Sequence, residues 1–225
     1  LLKRLIKNCA RQFNMNASFM AKPFSDEAGN GMHVHLSVVD KDGNNVFTMD
    51  KNKQPQGLFS YAIGGLLKTT PDFLSFYAPH SNSYRRLVHN GNHAPTTLSW
   101  GNENRTALIR LPEASAEATR LEFRVASADS NPYLVFASVL ASVYAGIQGK
   151  LQHDKETIGN AHAQHPPSLG VTWREAVEKT SVSSLVKDFF GEQFQQCYTC
   201  VKESEIQRFE STITDFEYHS YLRSL

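Results

Sequence analysis

From Gly31 onward polar and apolar residues alternate, so that His33, His35 and Ser37 fall on one side of an extended chain while Val34, Leu36 and Val38 fall on the other. A period of two commits this stretch to a strand with one face on a core. Lys41-Asp42-Gly43-Asn44 then supplies a turn and Val46-Phe47 a return strand, so a β-hairpin is predicted. The polar face of this strand is either a solvated outer face or a place where something binds. Gly29 and Gly31, just ahead of it, would let a ligand approach the backbone closely.

Elsewhere the period changes. Leu1, Leu2, Leu5, Ile6, Cys9 and Phe13 follow a helical spacing with no capping residue before them, which suggests a chain that begins inside a helix. A short strand is expected over 17–22, and a helix over 58–68 in which Gly64-Gly65 points to close packing against another backbone. Turn and loop residues fill 71–95. Strands are expected over 96–100, 106–111 and 121–125, together forming an antiparallel sheet. Asn131-Pro132 is a capped helix start, and the apolar run that follows it to Gly149 reads as the best-buried helix. A polar loop over 153–170 leads to helical segments at 173–179, 184–190 and 203–218. In the last of these, Ile206, Phe209, Ile213 and Phe216 make one apolar seam.

These segments describe an α+β fold, a curved and mostly antiparallel sheet backed by helices, with a core over 1–152 and a helical C-terminal region over 153–225. With 225 residues, 40% of them hydrophobic, the chain can bury a sizeable core. The net charge of +1 offers no global field for nucleic acid or an anionic membrane. No apolar run approaches the roughly 18 residues of a membrane span. Cys197-x-x-Cys200 lacks the second pair that structural zinc requires, and its aromatic neighbours suggest packing. A redox dithiol is the alternative, but reduced thiols and a soluble, cytoplasmic protein are the expectation.

Two groups of residues carry possible chemistry. Arg85, Arg86, Arg105, Arg110, Arg120 and Arg124 lie on turns and strands that could bring several guanidinium groups onto one polyanion, although each could equally pair with acids such as Glu103 and Glu122. In Leu121-Glu122-Phe123-Arg124 the carboxylate and the cation share a face. A mixed His and Glu ligand set suits Mg²⁺ or Mn²⁺ at a phosphoryl-transfer site better than structural zinc.

The strings Phe19-Met20-Ala21-Lys22-Pro23, Gly31-Met32-His33-Val34-His35, Asn82-Ser83-Tyr84-Arg85-Arg86-Leu87-Val88, Asn104-Arg105-Thr106, Leu121-Glu122-Phe123-Arg124 and Asn131-Pro132-Tyr133-Leu134 occur in an order that resembles the glutamine synthetase catalytic domain. The resemblance implies that His33 and Glu122 ligate the metal bridging the ATP phosphates. It places His35 and Ser37 beside the nucleotide, with Arg110 and Arg120 on its phosphates. Gly29 and Arg86 would hold glutamate, and Arg105 and Arg124 would face its γ-carboxylate and the phosphoryl group moving to it. The implied reaction is a two-step ligation through γ-glutamyl phosphate, by a ring-shaped homo-oligomer.

The sequence also departs from that pattern. His93 aligns with the flap glutamate that deprotonates ammonium, so it either serves as the base for another amine or is a loop histidine without a role. Ala28 replaces an asparagine common near glutamate, and no tyrosine between Ile147 and Trp173 offers the family's adenylylation site. Trp100 either stacks on a larger amine or only packs. The β-grasp domain and Glu-x-Glu strand of the family would precede Leu1, so the chain alone is expected to be inactive. The resemblance favours a glutamate–ammonia ligase, with a γ-glutamylpolyamine or γ-glutamylamide synthetase as the alternative. A non-catalytic homologue that binds nucleotide or glutamate is a third reading.

Overall fold

The computed structural model describes residues 1–87, 94–169 and 171–223, and within them one long helix supplies the largest share of the core. This helix, α2 (Gly57–Tyr77), extends well past the expected end at Lys68 and continues through Pro71. Proline removes an intrahelical donor, while in the turn before it the hydroxyls of Thr69 and Thr70 donate to Gly65 O and Leu66 O. Burial of Phe73, Leu74, Phe76 and Tyr77 outweighs the interruption. The expected loop over 71–95 thus holds the end of α2 and a second helix, α3 (Ser81–Arg86).

The other elements follow the chain in a mixed order. The helix α1 (Leu2–Gln12) buries none of its side chains. A four-stranded sheet has the order β1 (Val34–Leu36), β6 (Leu121–Phe123), β5 (Ile109–Leu111), β4 (Trp100–Asn102). Two of its pairings are antiparallel, but β4 runs parallel to β5, so the sheet is mixed. The small pair β2 (Thr48–Met49) and β3 (Pro55–Gln56) stands apart. The hairpin is confirmed in reduced form by a Val39–Asn45 bridge and a hydrogen bond from Val46 N to Val38 O. No strand forms over 17–22, because that backbone pairs instead with the side-chain amide of Asn82 and with the N–H of Asn30.

The apolar sheet face packs onto α2, where the rings of Tyr77 and Phe123 lie 5.0 Å apart. On its other side α2 crosses α4 (Pro132–Gln148), capped by Asn131 as expected. A Cβ on Gly65 would sit 2.2 Å from Ser142 O and 2.7 Å from Gly146 Cα, so the two backbones touch only because both positions are glycine. The best-buried helix is therefore α2, since α4 leaves Tyr133, Phe136, Leu140 and Tyr144 exposed.

Beyond α4 come α5 (Ala161–Gln164), α6 (Trp173–Val182), α7 (Ser184–Phe190), α8 (Glu192–Glu210) and α9 (Asp215–Tyr221). The expected continuous helix over 203–218 is two helices, because Thr214 accepts the N–H of Glu217 and starts α9 afresh. Its apolar seam dissolves accordingly, with Ile206 buried and Phe209, Ile213 and Phe216 exposed. Cys197 and Cys200 lie exposed on α8, while the neighbouring Phe194 and Tyr198 pack inward. No described helix is long and apolar enough to cross a membrane.

Candidate active site

The sheet register brings the candidate residues together. His35 pairs with Glu122 across β1 and β6, and Arg110 pairs with Glu122 across β5 and β6. Side chains alternate between faces, so His33, His35, Glu122, Arg124 and Arg110 share one face while Val34, Phe123 and Ile109 enter the core. Glu122 is 3% exposed and is the centre of this group. Its Oε2 accepts from Arg110 Nη1 at 2.8 Å, and its Oε1 accepts from Arg124 Nη1 at 2.8 Å. His33 Nδ1 lies 2.6 Å from the same Oε1. Burial pushes the Glu122 carboxyl up, but the Arg110 hydrogen bond and the Arg124 charge outweigh it and hold the group below the usual carboxylate range. Burial, followed by the Arg124 charge, lowers the His33 imidazole against the pull of Glu122. A neutral imidazole facing an ionised carboxylate is the protonation state that metal ligation requires.

Arg86 changes the meaning of the glycines. Its guanidinium is buried at the end of α3 and donates to Val125 O at 2.8 Å and Arg124 O at 3.2 Å. Burial and the Arg124 charge lower it to about 10. A Cβ on Gly31 would lie 2.5 Å from Arg86 Nη2, and one on Gly29 only 2.7 Å from Ala21 O. The space these glycines open is filled at Gly31 by the arginine, and at Gly29 by main chain with the Arg86 stem behind it.

Arg105 is exposed on the loop after β4, and that loop is tied down by a segment read in the sequence only as polar. Buried Asn104 donates to Thr157 O and Gly159 O, both at 2.8 Å, and accepts from Thr106. Glu156 accepts from the backbone and side chain of Asn102. Arg105 O in turn receives Arg124 Nη2 at 2.9 Å. Trp100 belongs to the same scaffold: it is 1% exposed and its Nε1 donates to Asp154 O at 2.8 Å. Its role is packing, not display to an amine. The 154–160 strap has no local signature, since its bonds reach back more than 50 residues.

A cleft of about 920 Å³ opens over this face. Among its walls are Gly29, His33, Arg86, Arg105, Arg110, Glu122 and Arg124, together with Lys22 and Arg85, which add cationic charge at its edge. The Nε atoms of Arg110 and Arg124 are buried and have no hydrogen-bond partner among the described residues. His35, Ser37 and Arg120 are not in this wall. Arg120 Nε donates to His35 Nδ1 at 3.4 Å farther along the sheet face, and Ser37 is exposed just past β1. His93 lies outside the described residues.

The donor set fits a hard or borderline divalent ion, one imidazole nitrogen beside one ionised carboxylate. Among the described residues no group of three or more His, Cys, Asp or Glu side chains could hold a metal, so the described part of the cleft offers the His33 and Glu122 pair.

A mixed sheet that gathers a histidine, a carboxylate and several arginines around one cleft is suited to holding phosphate groups, and comparison with known proteins shows the family. The family described as "Glutamine synthetase, catalytic domain" matches residues 1–221. The chain belongs to the glutamine synthetase family. It is 34% identical to γ-glutamylputrescine synthetase of Escherichia coli K12, over 99% of this chain and 47% of that protein. It is also 34% identical to glutamine synthetase of Thermotoga maritima, over 98% of this chain and 52% of that one. For γ-glutamylethanolamide synthetase of Streptomyces coelicolor the identity is again 34%, over 94% and 45%. The solved ligand-free structure of GmaS superposes with a TM-score of 0.87 at 26% identity, covering 99% of this chain and 52% of that chain. The chain thus spans about half the length of these relatives.

Proposed function

We propose that this chain is the nucleotide- and glutamate-binding half of an ATP-dependent ligase that joins ammonia or another amine to the γ-carboxylate of glutamate. The observation that carries this reading is the His33–Glu122 pair, set in one cleft with Arg105, Arg110 and Arg124. A glutamate carboxylate oxygen attacks the γ-phosphorus of ATP and ADP leaves. The amine nitrogen then attacks the acyl carbon, phosphate departs with the C–O bond, and a base takes the amine proton.

In this reading His33 and Glu122 hold Mg²⁺ or Mn²⁺, which when bound neutralises charge on the ATP phosphates. Arg110 binds the polyphosphate, and Arg105 and Arg124 face the γ-carboxylate and the phosphoryl group in transfer. Arg86 lines the glutamate end of the cleft beside Gly29. Two of its donors are committed to main-chain carbonyls, so it would act mainly through its charge and by shaping the wall. His35, Ser37 and Arg120 lie on the extension of the same face, on the side assigned to the nucleotide. His93 is the proposed base. The whole protein would be a cytoplasmic homo-oligomer of ring type whose second metal site and amine site are completed by sequence not present in these 225 residues.

Ammonia is the first choice of acceptor. A larger amine is the second reading, favoured by the likeness to synthetases named for putrescine and ethanolamide. Phosphate release by a polypeptide that also carries the family's amino-terminal part, measured with ATP, glutamate and a panel of amines, separates the two. Stimulation by ammonia alone supports the first and removes the second. No stimulation by any amine contradicts both.

A further inference from the structure

Glu103 follows β4 directly, with φ at 52°, in the left-handed region that costs an L side chain free energy. Three hydrogen bonds hold it there. Its N–H donates to Leu111 O at 3.0 Å, its Oε1 accepts from Glu113 N, and its Oε2 accepts from Arg110 Nη2 at 2.6 Å. Backbone and side chain are therefore both fastened to β5 and the residues just after it. The carboxylate itself is half exposed, so a solvated ion pair alone is a weak reason for a strained conformation.

The consequence falls on Arg110. Its fork is divided between two acids, Nη2 on Glu103 and Nη1 on Glu122, and its Nε is buried without a partner among the described residues. A guanidinium beside a single carboxylate tends to take both oxygens in parallel. With Glu103 removed, Arg110 would be free to close on Glu122, whose other oxygen faces His33.

We propose that Glu103 is a positioning residue for the phosphate subsite: it takes one arm of the Arg110 fork, keeps the guanidinium in the cleft and stops it from masking Glu122. This rests on the reading of the cleft as a nucleotide-phosphate site and adds a residue to it.

The two accounts of Glu103 predict opposite signs. If its carboxylate acted only as a nearby negative charge, its removal would tighten the binding of an anion. If it positions Arg110, removal weakens binding. Inorganic tripolyphosphate titrated calorimetrically into the 225-residue chain decides between them. Glu103→Gln, which keeps the shape but has one acceptor oxygen where the bonds from Arg110 and Glu113 use two, and Glu103→Ala are each expected to weaken binding about three- to tenfold, the scale of one ordinary hydrogen bond. In an Arg110→Ala background the same substitutions should change nothing further. Unchanged or tighter binding in both variants overturns the proposal, and so does an equal loss without Arg110, which would indicate a general disturbance of the loop. Failure of the unsubstituted chain to bind tripolyphosphate contradicts the phosphate-site reading itself, and Glu103's role with it.

Discussion

Glu122 Oε1 lies 2.6 Å from His33 Nδ1 and 2.8 Å from Arg124 Nη1, so one buried carboxylate oxygen is shared between the residue just before β1 and the residue just after β6. The two partners differ in what they need from it. Arg124 and Arg110 are charged and enclosed, whereas His33 is half exposed and favours its neutral form. Glu122→Gln should therefore destabilise the fold by about 3 kcal/mol, the penalty for leaving buried cations uncompensated. His33→Ala should cost less than about 1 kcal/mol, because a half-exposed neutral ring leaves no uncompensated charge when removed. Both should abolish Mn²⁺ binding. Urea denaturation of the two variants checks the contrast, and equal losses would mean that His33 carries structural weight not assigned to it here.

The helix crossing gives a second prediction. Gly65→Ala places a methyl group against Ser142 O and Gly146 Cα, both of them main chain that cannot turn aside. Forcing α2 from α4 should cost on the order of 3 kcal/mol in thermal or chemical denaturation. Gly43→Ala serves as the comparison, since no atom approaches that position and only its φ of 86° opposes the change. A Gly65→Ala variant as stable as the parent would contradict the crossing as described.

Trp100 separates specificity from packing. Its indole is enclosed and donates to Asp154 O, so Trp100→Phe should lower stability by about 1 to 2 kcal/mol. It should leave the order of preference among amines unchanged in the phosphate-release assay. A reordered preference would return the residue to the amine site.

The strap over the Arg105 loop should respond to acid. The Glu156 carboxylate is pushed up by burial, but hydrogen bonds from Asn102 and Gln54 outweigh that and leave it lowered. A carboxylate lowered on folding contributes stability above its unfolded value and loses it as the pH falls through the folded one. The stability gap between the parent and Glu156→Gln should therefore be constant above about pH 5 and shrink as the pH drops below about 4.5. A gap independent of pH would show that the amide satisfies the strap equally well.

What could be read from the sequence was whatever is encoded locally. The alternation around His33 fixed which side chains share a face, and Asn131-Pro132 announced α4. The chemistry of His33, Glu122, Arg105, Arg110 and Arg124 converging on one cleft followed from motifs on neighbouring strands. The failures were nonlocal. Pro71 looked like a helix end until burial of Phe73 and Tyr77 overrode it. The parallel pairing of β4 with β5 depends on a crossover that no periodicity reveals. Gly31 looked like room for a ligand, but the occupant is Arg86, 55 positions away and folded back by α3.

The His33, Glu122 and arginine cleft is proposed to activate glutamate as an acyl phosphate. Hydroxylamine trapping measures this step without prior choice of the amine. A polypeptide carrying this chain together with the family's amino-terminal part, given ATP, glutamate and Mn²⁺, is predicted to form γ-glutamyl hydroxamate. The 225-residue chain alone and the longer Arg105→Ala variant are predicted to form none. Hydroxamate formed at the full rate by Arg105→Ala, or none from the unsubstituted longer polypeptide, would contradict the account.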